Sequence, residues 1–98
     1  MGQTIEINTT AIIDHVLVIN TDRSLAGQDG ESYSGVETAR LGVTFPAQLA
    51  VRLFESVPSV DHVFVMSNSV SVRRPTGWDD TAVETATATV AEFFLFYR

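Results

Sequence analysis

The chain has 98 residues, of which 45% are hydrophobic and 18% charged, and it contains no cysteine, so disulfides, cysteine nucleophiles and Cys-held metal or cluster sites are excluded. Twelve acidic residues face six basic ones, every one of them arginine, for a formal net charge of −6. The average field therefore repels nucleic acid and anionic membrane surfaces, and the missing lysine removes Schiff-base chemistry and a Walker-type phosphate loop.

The length fits one domain covering 1–98, with enough apolar residues for a packed core. At the N-terminus, Ile5 and Ile7 alternate with Glu6 and Asn8, which predicts a short edge strand. No basic n-region or apolar h-region precedes it, and no apolar run approaches the roughly 20 residues of a membrane span. A cytoplasmic setting is the expectation. His15 to Ile19 is apolar and β-branched and reads as a strand. Residues 20–31 are polar and turn-rich, with Gly27 and Gly30 supplying conformational freedom. Glu31 to Val36 alternates around Tyr33 and is expected to pair with the 15–19 strand as a long hairpin. Residues 37–43 read as a connector.

Pro46 suits the first turn of a helix, because its missing N–H has no intrahelical partner there. Leu49, Leu53 and Val57, with Ala50 and Phe54 beside them, form one apolar stripe, and Pro58 ends it. Val60 to Met66 is a second strand. A turn near Asn68 leads into Val70 to Arg73, where Val70 and Val72 alternate with Ser69, Ser71 and Arg73. That pattern predicts an antiparallel hairpin with one buried and one wet face. After the Arg74-Pro75-Thr76-Gly77 loop, a last helix begins near Trp78-Asp79-Asp80, with acids at the positive end of its dipole. Its threonines lower helix propensity, so tertiary packing must hold it. The fold class is α+β: a two-layer, mostly antiparallel sheet of about four strands with two helices on one face, in ββαββα order, with room for one more N-terminal strand.

Chemistry-bearing constellations are sparse. No Gly-x-Ser-x-Gly elbow occurs. Gly27-Gln28-Asp29-Gly30 carries an acid where a phosphate loop needs a base. The chain reads as a non-enzyme without cofactor or metal. His15 and His62 fall in expected strands, and with Asp14 or Asp61 they are the one metal alternative; metal sites need three or four convergent ligands, and two histidines with scattered acids fall short. Trp78 is either a core-edge residue with its N–H paired or an anchor for a partner. Arg73 and Arg74 are either solvated charges or contacts to an acidic partner. Phe93, Phe94, Leu95, Phe96 and Tyr97 exceed what one helix face buries, which leaves core packing and an interface both open.

An ordered set of segments from Tyr33 to about Phe94 resembles the N-terminal domain of Nfu/NifU-type iron–sulfur scaffold proteins. The helix Pro46-Ala47-Gln48-Leu49-Ala50-Val51-Arg52-Leu53-Phe54-Glu55 carries the family's Leu-Phe stripe. Ser59-Val60-Asp61-His62-Val63-Phe64, Asn68-Ser69-Val70-Ser71-Val72-Arg73 and Trp78-Asp79 follow in the family's order. Thr9-Thr10-Ala11 lacks the family's opening proline, and Ser69 or Val70 stands where the second hairpin strand usually has phenylalanine. The resemblance implies an accessory or partner-recognition role in iron–sulfur cluster assembly. Cluster ligation belongs to a separate Cys-x-x-Cys domain in that family. Asn68, Arg73, Arg74, Trp78 and Asp79 are the candidate partner-binding residues, and the partner is a cluster-assembly factor or apo-client protein. The alternative is a generic interaction or self-associating module with the C-terminal aromatics as its interface.

Overall fold

A computed structural model of the chain describes residues 6–22, 24–25, 27–42 and 44–93. Five strands form one antiparallel sheet: β1 (Ile7–Ile13), β2 (Val16–Thr21), β3 (Glu31–Tyr33), β4 (His62–Met66) and β5 (Ser69–Arg73). Among the described residues three helices accompany them: α1 (Val36–Arg40), α2 (Phe45–Ser56) and α3 (Asp80–Ala91). The strands lie in the order β1-β2-β5-β4-β3. The α+β two-layer architecture stands, with five strands in place of about four. The optional N-terminal strand is real and continues to Ile13. Ile5 and the aromatics from Phe94 to Tyr97 lie outside the described residues.

The period of two along each strand decides what is buried. Leu17 and Ile19 on β2 pair with Val72 and Val70 on β5, which pair with Val63 and Val65 on β4. These six side chains are wholly buried on one face. Against them pack Ala47, Leu49, Ala50 and Leu53 of α2 and Ala82, Ala86 and Val90 of α3. Phe93, beyond α3, is core as well; its ring meets Phe45 edge-on at 4.8 Å. That contact clamps the start of α2 to the end of α3. Thr44 caps α2 by accepting from the Ala47 N–H at 3.3 Å, and Pro46 follows in the first turn. The α2 stripe thus has the cause that its spacing implies.

Two expectations change. Glu31–Tyr33 does not pair with β2; it joins β4 at the far edge of the sheet. The loop after β2 runs past the β4–β5 turn instead. Thr21 N–H donates to Asn68 O at 2.9 Å, Leu25 N–H to Ser67 O at 2.6 Å, and Ser67 N–H to Gly27 O at 3.1 Å. The turn thereby takes up backbone groups of Thr21, Leu25 and Gly27, and β2 is left to pair with β5, where its apolar residues meet valines. The short helix α1 begins at Val36, where a strand is expected, and runs into the connector over 37–43, with its own Ala39 buried.

Candidate partner-recognition surface

The face of the sheet away from the helices is built from the alternate positions. Three rows cross it: Ile13-Val16-Arg73-His62, Ala11-Val18-Ser71-Phe64-Ser32 and Thr9-Asn20-Ser69-Met66. Val16, Val18 and Phe64 are half-buried, and Met66 is exposed. In the third row the polar groups bond to one another. Ser69 Oγ donates to Asn20 Oδ1 at 2.6 Å, and Asn20 Nδ2 donates to Thr9 Oγ1 at 2.9 Å. The face therefore has apolar ground in its middle row and a hydrogen-bonded polar margin. Gly30 holds one flank. Its φ is +75°, and a Cβ there would come within 2.9 Å of Phe64 Cζ and of the Val65 carbonyl. Only glycine suits both the backbone and the close approach.

The sequence-derived candidates fall at two ends of this sheet. Arg73, Arg74, Trp78 and Asp79 gather at one corner, and Asn68 sits just beyond the other end of β5, five residues from Arg73 and about 16 Å away at about 3.3 Å per residue. Asn68 is part of the clasp described above: its Nδ2 donates to Thr21 O at 3.0 Å, and its own carbonyl accepts from Thr21 Oγ1 at 3.0 Å. The two arginines also part company. Val72 faces the helices, so Arg73 faces the open side, beside His62 and Val16. Its Nε lies 3.6 Å from Asp61 Oδ1, a solvent-exposed pair of small energetic value.

Arg74 is a brace. Its Nε donates to Pro58 O at 2.8 Å and its Nη1 to Gly77 O at 2.6 Å, while its backbone N–H donates to His15 O at 2.9 Å. The guanidinium carbon stands 5.9 Å from the centroid of the Trp78 ring. Trp78 Nε1 donates to the same His15 carbonyl at 2.9 Å. One carbonyl in the β1–β2 turn thus anchors the chain entering α3. Asp79 is the N-cap of α3, accepting from Ala82 N–H at 2.8 Å. The dinucleotide Trp78-Asp79 therefore has a structural use on both sides: the ring is tied to the sheet and the carboxylate starts the helix.

The metal alternative is not assembled. His15 lies in the β1–β2 turn, not in a strand, and is exposed. His62 opens β4, two strands from Val16, with β5 between them, and its Nδ1 is 3.1 Å from Ser34 Oγ. Among the described residues no three histidine, aspartate or glutamate side chains converge on a point. A groove of about 370 Å³ lies between α2 and α3, lined by Arg52, Ser56, Thr85, Thr89 and Phe93 among others. Its threonines do not offer free hydroxyl protons: Thr85 donates to Thr81 O at 2.9 Å and Thr89 to Thr85 O at 2.7 Å.

A polar cluster outside the candidate set joins β3 to α2. The Tyr33 hydroxyl donates to Glu31 Oε1, and Thr44 Oγ1 donates to the same oxygen at 2.7 Å. Burial pushes the Tyr33 hydroxyl up from its ordinary pKa, and the Glu31 carboxylate adds to that, partly offset by Thr44. Sequence reasoning did not find this cluster, because its three members are brought together only by the β3–α2 packing.

Among the described residues no helix is long and apolar enough to cross a membrane. No family model matches the chain, and no curated protein matches it. Its fold is similar to that of a solved structure, protein SAV1430 from Staphylococcus aureus, with a TM-score of 0.64 over 86% of this chain and 96% of that one; at 13% identity this similarity shows the α+β fold and nothing further.

Proposed function

We propose that the chain is a non-enzymatic, cytoplasmic partner-recognition module acting in iron–sulfur cluster assembly, with no cluster ligands of its own. The observation that carries the recognition part is the sheet face that no described helix covers. It pairs half-buried Val16, Val18 and Phe64 with the exposed Met66, and Arg73 stands at its margin. Aliphatic and aromatic ground with an arginine at the rim is a common composition for a protein contact. The cluster-assembly part is supported by the ordered resemblance between residues 33 and 94 and by the lack of any thiolate, which suits an accessory to a cysteine-bearing domain. The charge of −6 favours a protein or cationic partner over nucleic acid. Arg74, Trp78 and Asp79 serve this reading by fixing the corner on which Arg73 is displayed.

Affinity capture from the native host, analysed by mass spectrometry, tests the assignment. The expected catch is cluster-assembly factors or apo-clients, lost on Phe64→Ser combined with Arg73→Glu. Recovery of unrelated proteins alone, or isolation of this chain with a stoichiometric cluster, overturns it.

A further inference from the structure

The sheet ends in two unlike edges. The β3 edge is three residues long and carries Glu31, with α1 and α2 packed against it. The β1 edge is seven residues long, Ile7–Ile13, with neither a charge nor a proline. Exposed edges in natural sheets are usually shortened, charged, interrupted by proline or covered, because unpaired backbone groups recruit other strands. Apart from a register shift at Asn8 and the contact of Ile7 with α3, β1 has none of these devices among the described residues.

Its hydrogen-bonding groups are suitably aimed. The two-residue Asp14-His15 turn makes Ile13 and Val16 a hydrogen-bonded pair. Alternation then directs the N–H and C=O of Thr10 and Ile12 away from β2. Ile12 and Ile13 are 50% and 62% exposed and lie on opposite faces, so an added strand meets an apolar neighbour on either side.

Charge selects among occupants. Glu6 precedes β1 and Asp14 follows it, both exposed. Glu6 is held in line by Asp22, whose N–H donates to Glu6 O at 3.0 Å. A second copy pairing antiparallel about Thr10 would set Glu6 opposite Asp14 twice, and like charges facing across strands are unfavourable. An extended segment with a basic residue at each end meets an opposite charge at both.

We propose that the outer edge of β1 is a docking site for an extended segment of a partner protein, added as a further strand and flanked by basic residues about eight positions apart. Uncharged, β-forming residues between those ends lie along Ile7–Ile13. This site is distinct from the open sheet face and does not require the partner to belong to cluster assembly.

The test uses the whole chain, ¹⁵N-labelled, titrated with the peptide Arg-Thr-Val-Thr-Ile-Thr-Val-Thr-Arg and with its counterpart carrying Glu at both ends. The Arg-ended peptide is expected to shift and protect the Thr10 and Ile12 amides and to bind at least about tenfold tighter, a margin that narrows with salt. The double charge reversal Glu6→Arg with Asp14→Arg inverts the preference. Thr10→Pro, which removes an outward N–H, abolishes binding; should that variant misfold, the charge reversal still decides. Equal binding of both peptides, shifts confined to residues outside β1, or a dimer that already occupies the edge overturns the proposal. Client capture that survives such a failure would leave the function proposed above standing.

Discussion

The two flanks of this sheet solve the same problem in opposite ways. At β3, three residues suffice because the flank is tied to the helical layer. Tyr33 is buried, Glu31 bonds to Tyr33 and Thr44, and Thr44 caps α2. At β1, a longer strand contributes little to the core beyond Ile7, which borders α3 residues Thr87 and Ala91 in a shallow apolar hollow. The contrast teaches that the side-chain contacts holding the two layers together are shared unevenly across the sheet. The β3 side is where side chains lock elements together, and the β1 side is where backbone and apolar surface are left over.

Substitutions that act on one flank and spare the other can break that contrast. The largest effect is expected from Leu53→Ala. Leu53 is wholly buried in α2, the helix that covers β3 and β4, and its truncation should cost about 3 kcal/mol in chemical denaturation. Next comes Gly30→Ala at the entry to β3. The positive φ and the 2.9 Å approach to Phe64 and the Val65 carbonyl both oppose a Cβ, for a loss of about 2 kcal/mol in the same assay. If either variant matches the wild type, the β3 flank is not the locked one.

A third test is a pH profile. Because the folded state holds the Tyr33 proton more tightly than the unfolded chain does, its contribution is fully present below pH 10.0 and is lost as the pH climbs above that value. The chain has no lysine to titrate in the same region. Tyr33→Phe should therefore flatten the alkaline limb of stability above pH 10.0, read by thermal melts at stepped pH; an unchanged slope sinks the role given to this cluster. The smallest effect is expected on the other flank. Ile13→Thr keeps a β-branched residue at an exposed site, so stability should move by less than about 0.5 kcal/mol. A larger loss would mean that β1 is a structural flank after all.

Much of the local architecture was legible without coordinates. Pro46 and Pro58 bracket the Leu49-Leu53-Val57 stripe, so α2 could be bounded to within a residue or so at each end. Alternation in Ser69–Arg73 gave both the hairpin and the face on which Arg73 lies. The acids at 79 and 80 marked the start of α3, and Asp79 proved to be its cap. The site was less legible. Arg73 and Arg74 are neighbours of one type, yet one is displayed and the other braces Pro58, Gly77 and Trp78.

By itself the sequence determined the existence of α2, α3 and the strands β2, β4 and β5, which side of each is apolar, and that no cysteine or lysine side chain is available for chemistry. The tertiary structure alone decided which strands are neighbours, that β3 crosses to the far flank, that His15 is a turn residue whose carbonyl anchors Trp78, and that Phe93 belongs to the core. The reason is physical. Periodicity is a property of one segment and specifies a face, whereas strand order and hydrogen-bond partners depend on residues dozens of positions apart, and no local pattern encodes those distances.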